Sequence, residues 1–186
     1  MPCPDLPGHG RPQLSFNWEA YESAHRRNGA NCGPGALAAV LGIHIDQAVE
    51  ALPQFARYGF TTEVMMAVGL ARFGQPFDWA LARPDLDPLE WPSLGLVRIA
   101  FEGGWTAAGD RMEELQRSHW VATNRKSSGQ LEIFDINSIW STGWMDFKAW
   151  REEMVPWIVD RLVDGANGAW HVVETIEIHR ERPIWH

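Results

Sequence analysis

Three residues of this sequence can combine into a nucleophilic centre: Cys32, His119 and Asp135. Cys32 stands in the run Asn31-Cys32-Gly33-Pro34-Gly35-Ala36-Leu37. Pro34 suits the first turn of a helix, where a missing N–H leaves nothing unpaired. A thiol at a helix N-terminus faces the positive end of the helix dipole and free backbone N–H groups, and both favour the thiolate. Gly33 and Gly35 leave room for a substrate backbone to approach. A lone cysteine is more often a small buried hydrophobe, yet a core cysteine does not need this setting. A thiolate nucleophile needs a base. His119 stands in Ser118-His119-Trp120-Val121-Ala122-Thr123, at the mouth of an expected strand that can hold an imidazole rigidly against the thiol. Asp135 lies sixteen residues further on, in Ile133-Phe134-Asp135-Ile136-Asn137. That interval fits one strand, a turn and an antiparallel return, which makes the matching ends neighbours. An aspartate in an apolar strand requires a partner, and here it would fix the imidazole tautomer and stabilise the imidazolium. Asn137 faces the same side of that strand and is the second choice for this orienting role.

The elements that must position these groups follow from capping and periodicity. The helix opened by Cys32 closes at Gly42. Asp46 is expected to cap a second helix, 47–52, and Thr61 or Thr62 a third that Gly74 ends. Residues 77–81, 95–101, 119–123, 131–136 and 172–178 read as strands separated by turns such as Lys126-Ser127-Ser128-Gly129. Asp146 caps one more helix, which Pro156 must break or restart. Residues 18–31 are polar and give no clear element. Helices first and mainly antiparallel strands after them make an α+β fold. Residues 1–17, punctuated by proline and glycine, read as an extended arm, and 18–186 as one domain. Gating of access to a cleft is one hypothesis for the arm's stretch 1–14.

Bulk properties exclude several classes. The chain has 186 residues and a net charge of −8, so its surface repels phosphate backbones and no nucleic-acid partner is expected. No run approaches the roughly 18–20 apolar residues that span a bilayer, and no membrane association is expected. No secretory signal is visible, and the two cysteines, Cys3 and Cys32, do not suggest a disulfide framework. A reducing, cytoplasmic location follows as the expectation. Neither Cys-x-x-Cys nor His-Glu-x-x-His occurs, so no metal or other cofactor is expected. Cys3 with His9 is a loose pair on the arm. His171, at the start of the last strand, rivals His119 but has no following aspartate at a suitable interval. Gly103-Gly104 has no Lys-Ser/Thr after it and reads as a turn bordering the cleft, not a phosphate loop. Trp105, Trp120 and Trp140 are core residues by default and groove walls by alternative.

The order Cys, His, Asp, the Cys-Gly-Pro-Gly-Ala-Leu-Ala helix start and the His-Trp-Val strand resemble the papain-like cysteine peptidase superfamily. Within it the chain is most similar to the bacteriocin-processing type, which cleaves after double-glycine leaders, and to its stand-alone and phage-encoded relatives. Thr61-Thr62, the strand Gly95-Leu96-Val97-Arg98-Ile99 and Phe134-Asp135 fall in the matching order, and Asn137-Ser138 through Trp144 echoes an Asn-Ser-Trp-Gly stretch. The resemblance implies a papain-like fold: an N-terminal helical half carrying the Cys helix, packed on a C-terminal antiparallel sheet half. It implies a peptidase acting on a peptide or protein substrate, with Cys32, His119 and Asp135 as catalytic residues. One departure is clear. The family places a Gln shortly before the Cys as an oxyanion donor, and this chain has none between Gln13 and Cys32. Asn28, with the backbone N–H of Cys32, is the substitute. The same triad also serves transglutaminases and acyltransferases, and a papain-like shell without useful catalysis would be a protein-binding module.

Overall fold

The computed structural model describes residues 18–29, 31–82, 87–107, 109, 111–138 and 143–179. The expected arm at 1–17, including Cys3 and His9, lies outside them, as do Trp140 and the rest of 139–142. The first half is helical: α1 (Trp18–Asn28), α2 (Cys32–Leu41), α3 (Ile45–Ala51), α4 (Phe55–Tyr58) and α5 (Glu63–Arg72). Then come strands β1 (Phe77–Leu81) and β2 (Leu94–Gly103), helix α6 (Arg111–Gln116), and strands β3 (Ser118–Arg125), β4 (Leu131–Phe134) and β5 (Trp144–Asp146). Helix α7 (Phe147–Ala149) runs through a π-helical turn, Trp150–Met154, into α8 (Val155–Leu162), and β6 (Ala166–Ile178) ends the series. The six strands form one antiparallel sheet in the order β1-β6-β2-β3-β4-β5. The fold is α+β, with the helices N-terminal.

Local chemistry explains the helix ends. Asn31 caps α2 through its Oδ1, and Gly42 closes it in the left-handed conformation at φ 66°, which glycine adopts without steric cost. The expected cap of α3 is corrected. His44, not Asp46, accepts from the Asp46 N–H, and Gln47 reaches back to the His44 N–H in a reciprocal box. Asp46 sits in the first turn instead, where it pairs with Arg27 of α1 at 2.7 Å. Thr62 caps α5. Asp146 caps α7, and Pro156 enters α8 in its first turn. The chain meets that proline by widening the preceding turn to a π-helix rather than by breaking.

The sheet is covered on both faces, one more layer than a helical half set against a sheet half. Leu96, Trp120, Ala122, Phe134 and Ile176 pack toward α2, α3 and α5. Their strand neighbours Val97, Ile99, Val121, Ile133 and Val172 pack on the other side with Trp150, Val155 and Ile158. Successive strand residues point to opposite faces, so continuous apolar runs require cover on both. Through the first face runs a buried ion pair. The Arg98 Nε meets Glu174 Oε1, and the Trp79 indole donates to Glu174 Oε2 at 3.1 Å. The Arg98 guanidinium lies 5.9 Å from the Trp120 ring centre. The Trp120 indole donates to the Thr61 carbonyl at 2.9 Å. The segment before α5 is thereby fixed to the strand that carries His119.

Helix α2 is buried from Gly33 to Val40, and its small residues let neighbours approach. A Cβ on Gly33 would fall 2.1 Å from Thr61 Oγ1 and 2.6 Å from Thr61 Cβ. Gly33→Ala is therefore expected to cost about 1–3 kcal/mol through overpacking, read as a lower urea midpoint with an unchanged slope. An unchanged midpoint would mean that α2 shifts freely against Thr61.

Candidate functional site

Cys32 is the first residue of α2. As such, its backbone N–H has no carbonyl four residues back inside the helix. Its cap, Asn31, spends both ends of its amide on the backbone: Oδ1 accepts from the Gly33 N–H at 3.2 Å and Nδ2 donates to the Gly59 carbonyl at 2.6 Å. Cys32 is only partly buried and unpaired by any disulfide. Its sulfur is hydrogen-bonded to the His119 side chain and to the Trp120 backbone N–H.

His119 is the second residue of β3, paired across the sheet with Ile99. It is buried, with 6% of its surface exposed. Its Nε2 lies 2.9 Å from Asp135 Oδ2, which leaves Nδ1 for the thiol. Asp135, fully buried, follows the last residue of β4. The same Oδ2 accepts from the Trp150 indole N–H at 2.9 Å, and Oδ1 accepts from the Asn137 backbone N–H at 2.9 Å. Every short contact of this carboxylate comes from a donor, so it is held as an anion.

The three groups set one another's charge. Burial alone pushes the Cys32 thiol up; the charge and hydrogen bond of His119, with the Trp120 N–H, outweigh it and hold the thiol below its ordinary range. Burial alone pulls His119 down; Asp135 and the Cys32 thiolate, facing it from either side, raise it well above the usual imidazole range. Burial pushes the Asp135 carboxyl up, and the His119 charge together with bonds from His119, Trp150 and Asn137 brings it below the usual carboxylate range. These directions favour the thiolate–imidazolium form of the pair, with a carboxylate behind the imidazole. Such a pair offers a nucleophile and a proton donor in one place.

The structure thus brings Cys32, His119 and Asp135 together. Asn137 is not the imidazole's partner: it sits in the short helical turn Ile136–Ser138 and gives its backbone N–H to Asp135. Asn28 is the last residue of α1 and is partly exposed. His171 lies elsewhere on the sheet, 3.1 Å from Glu102. The Gly103 turn folds Trp105 back over the strand, with its indole on the Phe101 carbonyl at 3.1 Å. Trp105 and Trp120 are both core residues. Among the described residues no group of three His, Cys, Asp or Glu side chains could hold a metal ion. Among those residues, too, no single helix is long and apolar enough to cross a membrane.

Two side chains belong to this site without a motif to announce them. Trp150 reaches Asp135 only because the π-turn and β5 bring it there. Tyr21, from the polar stretch before Cys32, is partly buried, and burial followed by the negative charge of Cys32 raises its phenol. It therefore stays protonated, near enough to feel the charge of Cys32. Replacing Trp150 with Phe should raise the Asp135 titration midpoint above its wild-type position, because one donor to the carboxylate is lost. Carboxyl NMR of Asp135 measures this, and an unmoved midpoint would show that the indole only fills space. Compared with known proteins, the chain matches no family model and no curated protein sequence.

Proposed function

We propose that this chain is a cysteine hydrolase of papain-like character that cleaves a peptide or isopeptide bond in a peptide or protein substrate. The observation that carries the reading is the placement of His119 between the Cys32 sulfur and the Asp135 carboxylate. In the first step the Cys32 thiolate attacks the carbonyl carbon and a C–S bond forms. The carbonyl electron pair moves onto oxygen, where the Cys32 backbone N–H is one donor. Asn28, at the end of α1, and Tyr21, whose phenol feels the charge of Cys32, are the candidates for another. The oxyanion then collapses, the C–N bond breaks, and the His119 imidazolium gives its proton to the departing amine. Water next attacks the thioester, His119 takes the water proton, and the thiolate leaves. Asp135 keeps Nδ1 aimed at the sulfur and steadies the imidazolium in both steps. A free thiolate nucleophile works in a reducing compartment, and we place the enzyme in the cytoplasm on that ground.

The test is acyl-enzyme formation. Incubation with benzyloxycarbonyl-glycine p-nitrophenyl ester should add one acyl mass to Cys32, followed by turnover, and Cys32→Ala should abolish both. A protein that never acylates would instead fit a binding module built on the same shell.

A further inference from the structure

We infer that the cavity beside His119 is the subsite for the leaving group, and that it selects an apolar side chain on the residue that follows the scissile bond. This rests on the hydrolase reading above. A cavity of about 350 Å³ opens next to the imidazole, within the size range of ligand pockets. Phe101, Ile158, Leu162 and Val163 supply one apolar wall, and Gln116, Arg117, Ser118 and Asn137 a larger polar side. His119 lines it, while Cys32 and the helix start that holds it do not.

That division assigns the side. The acyl carbon must sit on the sulfur, so the acyl half of a substrate lies along α2. The leaving nitrogen must receive a proton from His119, so whatever that nitrogen carries points past the imidazole, into this cavity. The four apolar residues form one continuous side against which an apolar side chain can pack. Leu162 is 55% exposed at the end of α8 although large and apolar, and a substrate side chain would cover it. The Arg117 guanidinium is fixed in place, donating to the Asp164 carbonyl at 2.9 Å and lying 4.8 Å from the Trp105 ring centre. A fixed positive charge at the edge disfavours a lysine or arginine side chain in the same pocket.

Partition of the acyl-enzyme measures this subsite directly. The wild-type protein is acylated with the p-nitrophenyl ester, then offered leucine, phenylalanine, glycine or lysine amide, and the aminolysis and hydrolysis products are quantified. Leucine and phenylalanine amides should capture the acyl group about tenfold or more better than glycine amide, and lysine amide should gain little. Leu162→Asp should reduce the leucine preference to near unity, while Leu89→Asp, another exposed leucine, should keep it. An acyl-enzyme that partitions equally among the amides, or a preference that survives Leu162→Asp, overturns the inference and leaves the hydrolase standing. No acyl group on Cys32 overturns the hydrolase reading, and the inference with it.

Discussion

Replacing His119 with alanine is expected to slow the alkylation of Cys32 by iodoacetamide about a hundredfold at pH 6. A thiol of ordinary pKa, about 8.5, is less than about one per cent ionised at that pH. In the wild type, the His119 charge and hydrogen bond hold Cys32 below its ordinary range, so a larger share of the thiol is thiolate than in the variant. The gain is smaller than the ionised fractions alone imply, because a stabilised thiolate is intrinsically less nucleophilic. The sign of the pH dependence is the diagnostic part. As pH rises, the variant's thiol ionises by itself, so the two rates must converge, to within a few-fold near pH 9. Peptide mapping separates Cys32 from Cys3, the chain's other cysteine. Parallel rate curves for wild type and variant would mean that Cys32 is not activated by the imidazole, and the hydrolase reading would lose its nucleophile.

The second large effect belongs to Asp135. Its carboxylate is fully buried and accepts from His119, Trp150 and the Asn137 N–H. Asp135→Ala leaves three donors, one of them charged, without an acceptor, and should cost about 3–5 kcal/mol of stability. Asp135→Asn keeps the shape and should cost less, but it removes the charge that raises His119, and turnover should still fall by about a thousandfold. The pH dependence has two limbs. Asp135 is depressed in the folded protein. Its contribution is present above the unfolded value of about 3.9 and is lost as pH falls through the lower folded value. His119 is raised. Its contribution is complete below the unfolded value of about 6.5 and is lost as pH rises through the higher folded value. The stability gap between wild type and Asp135→Ala should therefore be widest from mildly acid to neutral pH and narrow on both sides. Urea unfolding across that range measures it, and a gap independent of pH would mean that the carboxylate acts by packing alone.

The residues at the centre of the site were readable in the sequence because each rests on a local cause. Cys32 announces a helix start through Gly33 and Pro34, and His119 and Asp135 lie at strand ends joined by a recognisable turn. Strand β1 needed only its own run, and the caps at Thr62 and Asp146 only their own side chains. What escaped the sequence depends on contacts between distant residues. Helix α1 has a strongly polar sequence and gains its place by packing, through Ala20, Tyr21 and Ala24, on the core around α2. Strand β5 is three residues long, too short to show a period. Asp46 looked like a cap because aspartate favours that position, but His44 stands one residue before the helix and its ring does the same work, freeing Asp46 to pair with Arg27. The second helical layer was hidden for a simpler reason. Val97, Val121 and Ile133 demand cover, but nothing local says that α8 supplies it. Trp150 and Tyr21 joined the site by the same route, through tertiary placement and not through spacing.

The position of β6 in the sheet has a consequence for how this protein is made. The last strand of the described chain lies inside the sheet, between β1 and β2, and pairs Phe77 with Ile178. Contacts so distant in sequence form late, so neither β1 nor the outer edge of β2 is covered until β6 has been made. Cys32 leaves the ribosome long before His119, Asp135 and Trp150 exist to act on it. Through that interval its sulfur is an ordinary thiol, mostly protonated at neutral pH. On the reading proposed above, activation of the thiol waits for the sheet to close, and a nascent or partly unfolded copy has only the reactivity of an ordinary cysteine.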